Sequence, residues 1–266
     1  MSTLCPTILI FDSGVGGLTV LDPIRAARPD AHYIYIGDTA FFPYGAREED
    51  ELIARVVSVI DDAVARFTPD LIVIACHTAS TLVLPTLRAR HSIPIVGTVP
   101  AIKPAAETSQ SRLISVLATK GTVKRDYTSA LIRDFAGDCD VTLVSATRLA
   151  GYAEEALHGR SVSDDDLRAE IAPAFVEKDG RRTDRVVLAC THYPLLLERL
   201  ERVAPWPVTW IDPAPAIARR VVQLLGNPPE GCASNREGVV SLTAADEWTP
   251  ELRSAFAARG LAPLVI

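Results

Sequence analysis

Cys76 and Cys190 stand 114 positions apart in closely matched settings. Cys76 ends the apolar run Leu71-Ile72-Val73-Ile74-Ala75 and precedes His77, Thr78, Ala79 and Ser80. Cys190 ends Val186-Val187-Leu188-Ala189 and precedes Thr191, His192, Tyr193 and Pro194. A β-branched run that stops at a polar cluster and continues into a helical apolar pattern predicts strand, loop, helix. Each thiol then lies at the carboxyl end of a strand, where open α/β sheets bind ligands. It also lies beside a helix N-terminus, a setting that stabilises anions. One such cysteine reads equally well as a buried structural thiol. Two in matching contexts point to a two-thiol site, where one thiolate takes a proton from carbon and the opposite thiol returns one to the other face. That inverts a stereocentre. Acidifying a carbon beside a carboxylate without an electron sink requires preorganised N–H and hydroxyl donors in a water-poor site. A Cys–His pair alone could serve acyl transfer as a one-cysteine hydrolase, but this leaves the second cysteine without a task.

Other residues could support either thiol. His77 directly follows Cys76 and His192 lies two residues after Cys190, within reach to hold or receive a thiol proton. Asp12 ends an early apolar run and opens Asp12-Ser13-Gly14-Val15-Gly16-Gly17. It reads as a helix cap or as a base partner beside a thiol. The glycines lack the G-x-G-x-x-G spacing and the Lys-Ser/Thr pair of nucleotide loops, so they are expected to turn N–H groups toward a small anion. The turn-rich loop Gly37–Gly45, with Pro43, Tyr44 and Gly45 at its end, is either packed filler or a ligand-binding loop. Glu154 alone reads as an exposed helical carboxylate. Cys5, Cys139 and Cys232 read as reduced structural thiols, and no zinc-ligand spacing occurs.

Strands are predicted over Thr7–Phe11, His32–Ile36, Leu71–Ala75, Ile95–Val99, Leu113–Ala118, Val141–Val144, Arg185–Ala189 and Val208–Ile211. Helices are predicted over Glu48–Arg66, Thr81–Arg90, Asp126–Phe135, Ser163–Glu177 and Leu195–Val203. Alternating strands and helices, with continuous apolar strand runs, predict parallel sheets covered by helices on both faces. The order repeats: Thr7–Phe11 breaks into a Gly/Ser turn, Leu113–Ala118 into Thr119-Lys120-Gly121-Thr122, and a Cys loop follows later in each half. Two similar α/β domains facing one cleft are therefore expected. Their boundaries are expected at the prolines near 100–104 and at 212–215, giving 1–98 plus 213–266 on the Cys76 side and 99–212 on the Cys190 side. The tail reads as a helix over Ala216–Leu225 and short strands over Val239–Leu242 and Pro263–Ile266.

The 266 residues carry a net charge of −6, with no Lys/Arg cluster, which argues against a nucleic-acid or anionic-membrane surface. No apolar run reaches membrane-spanning length and no basic segment precedes the first strand, so a cytoplasmic location is expected.

Taken together, Phe11–Val20, Pro43-Tyr44-Gly45, Ala75-Cys76-x-Thr78-Ala79-Ser80 and Cys190-Thr191-His192-Tyr193-Pro194-Leu195 strongly resemble the glutamate racemase family. Val99–Pro104, the segment from Ala118 to Arg125, and Ala216–Arg220 add to a likeness that runs from about residue 8 to 225. The resemblance implies two α/β domains, no cofactor, and conversion of L-glutamate to D-glutamate for peptidoglycan. It implies Cys76 and Cys190 as the acid/base pair, each acting on one enantiomer, with Asp12 assisting Cys76 and Glu154 and His192 assisting Cys190. Ser13, Pro43, Tyr44, Gly45, Thr78 and Thr191 would bind substrate, with Thr119 and Thr122 in addition. It also implies a homodimer. His77 departs from the asparagine usual at a substrate-contacting position, and its larger ring is expected to titrate near neutrality. Asp212-Pro213-Ala214 departs from the usual Asp-Ser-Gly. The lead before Thr7 is short, so control through the N-terminal extension of some relatives is not expected. An aspartate or broad-specificity racemase of the same superfamily would share both cysteines. A non-catalytic binding protein on this fold would show no turnover.

Overall fold

The structure is a computed structural model that describes residues 5–124, 126–234, 236–244 and 248–264. Twelve strands are formed among these: β1 Thr7–Asp12, β2 His32–Gly37, β3 Leu71–Ile74, β4 Ile95–Gly97, β5 Leu113–Ala118, β6 Asp140–Ser145, β7 Glu177–Lys178, β8 Arg181–Arg182, β9 Arg185–Ala189, β10 Thr209–Ile211, β11 Gly238–Leu242 and β12 Leu261–Pro263. The helices are α1 Leu18–Ala27, α2 Glu49–Phe67, α3 His77–Arg90, α4 Ile102–Thr108, α5 Lys120–Val123, α6 Asp126–Phe135, α7 Leu149–Leu157, α8 Asp164–Ile171, α9 Leu197–Val203, α10 Ala214–Leu225 and α11 Pro250–Ala257.

Six strands form one parallel sheet in the order β12-β11-β2-β1-β3-β4, and four form a second in the order β10-β9-β5-β6. The continuous apolar runs have the reason anticipated: both faces of each sheet are covered. In β1, Ile8 and Ile10 pack with α1, α10 and α11, while Leu9 and Phe11 pack with α2 and α3. The second sheet buries Val186 and Leu188 against α7, α8 and α9, and Val187 and Ala189 on the side of α4. The α/β class with two helix-flanked parallel sheets is therefore as the alternation of elements required.

The sheets share a core topology. β1 lies between β2 and β3 with β4 outside β3, and β5 lies between β6 and β9 with β10 outside β9. Each central strand is thus a topological switch point, where chain connections depart in opposite directions and leave a crevice at the carboxyl ends. Cys76 and Cys190 follow the corresponding strands β3 and β9.

Three expected elements shift. The helix foreseen from Thr81 begins at His77, so Cys76 itself is the N-cap residue of α3. The helix foreseen over Ser163–Glu177 stops at Ile171, because Pro173 cannot donate an in-helix N–H, and the chain passes through one tight turn into β7. The last strand falls at Leu261–Pro263 rather than Pro263–Ile266, whose residues 265 and 266 lie outside the described residues. Among the described residues no helix is long and apolar enough to cross a membrane.

One ion pair fastens α1 to the C-terminal part of the first sheet's cover. Arg28 donates to Asp30 through Nε at 2.8 Å and Nη2 at 2.6 Å, and its Nη1 reaches the Gly226 carbonyl at the end of α10 at 3.0 Å. Both side chains are fully buried. Asp30→Asn leaves a buried guanidinium without its counter-charge and is expected to destabilise the fold by about 3 kcal/mol. The Arg28 hydrogen bonds hold the Asp30 carboxyl below the usual carboxylate range. Its contribution is therefore present above about pH 4 and lost as pH falls further through the depressed value. Urea midpoints measured down that range should converge for wild type and variant; curves that coincide at every pH would show that the pair contributes nothing.

Candidate active site

The two sheets meet along a seam built from the loops after β1, β3, β5 and β9. Asp12, the last residue of β1, is fully buried and accepts hydrogen bonds from the Gly14 N–H at 3.1 Å and from the Thr191 hydroxyl at 3.1 Å. Thr191 belongs to the opposite half. Its carbonyl in turn accepts from Thr19 Oγ1 at 2.9 Å. Thr78, in the first turn of α3, meets Thr119 at 2.9 Å and Thr122 at 3.4 Å between hydroxyls. Cys76, Cys190, Ser13, Thr78, Thr122, Thr191 and His192 are each 6% exposed or less, so the seam is shielded from bulk solvent.

The thiols occupy unlike surroundings. Burial pushes the Cys76 thiol up to about 12, and the Asp12 charge acts in the same direction; hydrogen bonds with the Ala79 N–H and Ser13 oppose it. Cys76 also feels the charge of Cys190 across the seam. Asp12 is itself raised above the ordinary carboxylate range by burial, against the opposing charge of His192. The second thiol has a histidine instead: Cys190 Sγ lies 3.8 Å from His192 Nδ1, and His192 Nε2 lies 2.7 Å from Glu154 Oε1. Burial works against charge on this imidazole, yet its hydrogen bonds with Cys190 and Glu154 raise it well above the ordinary value. Glu154 is likewise opposed by burial but ends lowered, through the His192 bond and the Val15 N–H at 2.9 Å. Glu154 is thus a sequestered partner of His192, contrary to the exposed carboxylate its sequence context suggests.

Glycines make the close approach possible. A Cβ on Gly16 would come within 2.4–2.7 Å of three His192 ring atoms, and one on Gly14 within 2.2 Å of Glu154 Oε1. The glycine run after β1 thus admits the histidine and carboxylate of the other half.

His77 is corrected by the structure. It is the first residue of α3, 2% exposed, with no hydrogen-bond partner on either ring nitrogen. Burial pushes its imidazole down to about 3, so it does not titrate near neutrality. His77→Asn should leave the shape of the kcat/KM profile unchanged between about pH 5 and 9, where ordinary histidines titrate. Initial rates across that range check this, and a limb that vanishes in the variant would show His77 changing charge.

The expected loop residues separate. Pro43 is exposed, Tyr44 is 2% exposed, and Gly45 reaches the seam, where a Cβ would stand 3.1 Å from Thr119. The Tyr44 hydroxyl is occupied by Asp38 at 2.6 Å. Asp38 had no signal in the sequence: its partners Arg55 and Thr243 are 17 and 205 residues away. Cys5, Cys139 and Cys232 are free thiols outside the seam.

Two sheets of the same core topology, each bringing one thiol to a shared buried seam, form the arrangement expected of a two-thiol racemase. The seam's glycines and hydroxyls lie beside both thiols. The chain belongs to the Asp/Glu/Hydantoin racemase family, whose model matches residues 19–221. It is 57% identical to the glutamate racemase of Brucella canis over 219 residues, 82% of this chain and 79% of that one. The fold is similar to the crystal structure of Escherichia coli glutamate racemase in complex with L-glutamate and the activator UDP-MurNAc-Ala, with a TM-score of 0.86, 41% identity and 98% of each chain covered. It is also similar to the glutamate racemase isoform RacE1 of Bacillus anthracis, with a TM-score of 0.78, 25% identity and 99% of each chain covered.

Proposed function

We propose that this enzyme interconverts L- and D-glutamate by a two-base mechanism without a cofactor, with Cys76 and Cys190 as the two acid/base residues. The observation that carries this reading is the placement of one thiol after β3 and one after β9, matched positions on the two faces of a single buried seam. In either direction one sulfur, as thiolate, takes the α-proton, and the other, as thiol, gives a proton to the opposite face of the carbanion. The thiol that gave its proton is the base for the reverse reaction. His192 holds or receives the Cys190 proton and Glu154 holds His192, while Asp12 serves the Cys76 side. Ser13, the Tyr44–Gly45 backbone, Thr78, Thr119, Thr122 and Thr191 supply donors to the two carboxylates and a site for the ammonium group. His77, neutral, borders that site.

Residues 1–98 with 213–266, and residues 99–212, are the two domains in this reading. The D-glutamate supplies peptidoglycan synthesis, the role of the family. The enzyme acts in the cytoplasm as a homodimer, a state that sedimentation would establish.

The test is incubation of the pure enzyme with L-glutamate in deuterated water, without added cofactor, following circular dichroism and α-proton exchange together. Decay of the optical signal with α-deuteration supports the reading. Turnover of aspartate alone would transfer it to that substrate, and silence with every amino acid would end it.

A further inference from the structure

The Asp38 carboxylate, just past β2, is fully buried yet not among the groups that do chemistry in the proposed reaction. Three side chains converge on it, Tyr44 from the same loop, Arg55 from α2 and Thr243 from beyond β11. Tyr44 donates its hydroxyl to Oδ2 at 2.6 Å, and Thr243, beyond β11, donates to Oδ1 at 2.8 Å. Arg55 of α2 donates through Nε to Oδ2 at 3.0 Å and through Nη2 to Oδ1 at 2.5 Å. Burial alone would raise this carboxyl, but the three partners together hold it below the ordinary range. The Asp38 N–H also donates to the Asp12 carbonyl at 2.9 Å, tying the hub to the end of β1. With both oxygens occupied, Asp38 has no lone pair to spare for a substrate.

What the hub controls is Tyr44. The Tyr44 ring lies 6.4 Å from Phe11 and 6.2 Å from Phe41, and Arg47 covers the Phe41 ring at 4.1 Å. Ring packing leaves the buried phenol O–H one partner, Asp38. Without it that donor is buried and unpaired, and the loop has to shift to regain water. The residue after Tyr44 is Gly45, where an added Cβ would stand 3.1 Å from Thr119, and a Cβ on Gly121 would stand 3.5 Å from the Gly45 Cα, so there is little room between this loop and the Thr119–Gly121 turn. Small displacements of the loop therefore change the seam directly.

We infer that Asp38, held by Arg55 and Thr243, is a positioning residue for substrate: it pins the Tyr44 phenol and so sets the Tyr44–Gly45 backbone against Thr78 and Thr119. This rests on the proposed reading that the 44–45 backbone holds a substrate carboxylate, here taken as the side-chain one. Charge developed at the α-carbon spreads into the α-carboxylate but does not reach the side-chain carboxylate, which is therefore bound alike in ground and transition states. Loosening its donors removes uniform binding, which raises KM and spares kcat.

Tyr44→Phe, which keeps the ring and removes only the pinned hydroxyl, and Asp38→Asn, which breaks the hub itself, test this. Both are expected to raise KM for both enantiomers about tenfold, with kcat within about threefold of wild type. The double variant should be no worse than Asp38→Asn alone, since both remove the same bond. Arg55→Met, which leaves Tyr44 and Thr243 in place, should give a smaller rise, and serves if Asp38→Asn does not fold. In a Cys76→Ser background, calorimetric dissociation constants for glutamate should weaken by the same factors. Unchanged KM in Tyr44→Phe and Arg55→Met, with only a lower melting temperature, would overturn the inference and make the hub purely structural. Silence of wild type toward glutamate is a different outcome, which defeats the functional reading beneath it.

Discussion

Cys76→Ser and Cys190→Ser are each expected to lower racemisation by about 10³-fold or more, since a serine hydroxyl is far too weak an acid to serve as either base or donor at neutral pH. The two losses differ in kind. A variant that keeps one working thiol can still remove and return a proton on the same face, so it exchanges the α-hydrogen of one enantiomer without inverting it. The two variants should therefore label opposite enantiomers in deuterated water, read by NMR on separate incubations with L- and D-glutamate. A one-cysteine hydrolase predicts instead that Cys190→Ser is harmless. Labelling of the same enantiomer by both variants would show that the thiols do not face opposite sides of the substrate.

Glu154→Gln is expected to lower kcat by about 10²-fold, the scale of a mispositioned acid/base group. Glutamine fills the same space and can still accept from the Val15 N–H, but it removes the charge 2.7 Å from His192 Nε2. That charge is among the causes that raise the imidazole. With it gone, His192 loses its proton at lower pH, and the alkaline limb of the rate profile moves down. A profile that stays in place with unaltered kcat would detach Glu154 from the chemistry of Cys190.

The sequence made these experiments foreseeable because the decisive signals are local. Strand-length apolar runs ending in Cys76 and Cys190 mark both strand and loop, and the eight main strands fall within a residue or two of their expected limits. The Pro173 break was equally local, yet a run of helix-favouring residues around it, from Asp164 to Val176, masked the stop. What stayed hidden depends on distant partners. Glu154 has no marker of its own, and only folding brings His192 against it from 38 residues away. Asp38 in Gly37-Asp38-Thr39 reads as a turn residue, since nothing nearby announces Arg55 or Thr243. His77 looked titratable because its dry surroundings come from the packing of α3, which no spacing rule conveys.

The bond from Thr243 to Asp38 also carries a temporal meaning. The strand just before it, β11, pairs with β2, yet it is made about 140 residues after β4, with the whole second sheet in between. At roughly 5–20 residues per second, that interval lasts about seven to thirty seconds. During it the outer edge of β2 lacks its native neighbour, while the Cys190 half can complete its own sheet. The nascent chain therefore builds the inserted half before it can finish the half that surrounds it. The clasp that fastens the Tyr44 loop cannot close before β11 has been made, so the loop is held only after the second sheet has been synthesised.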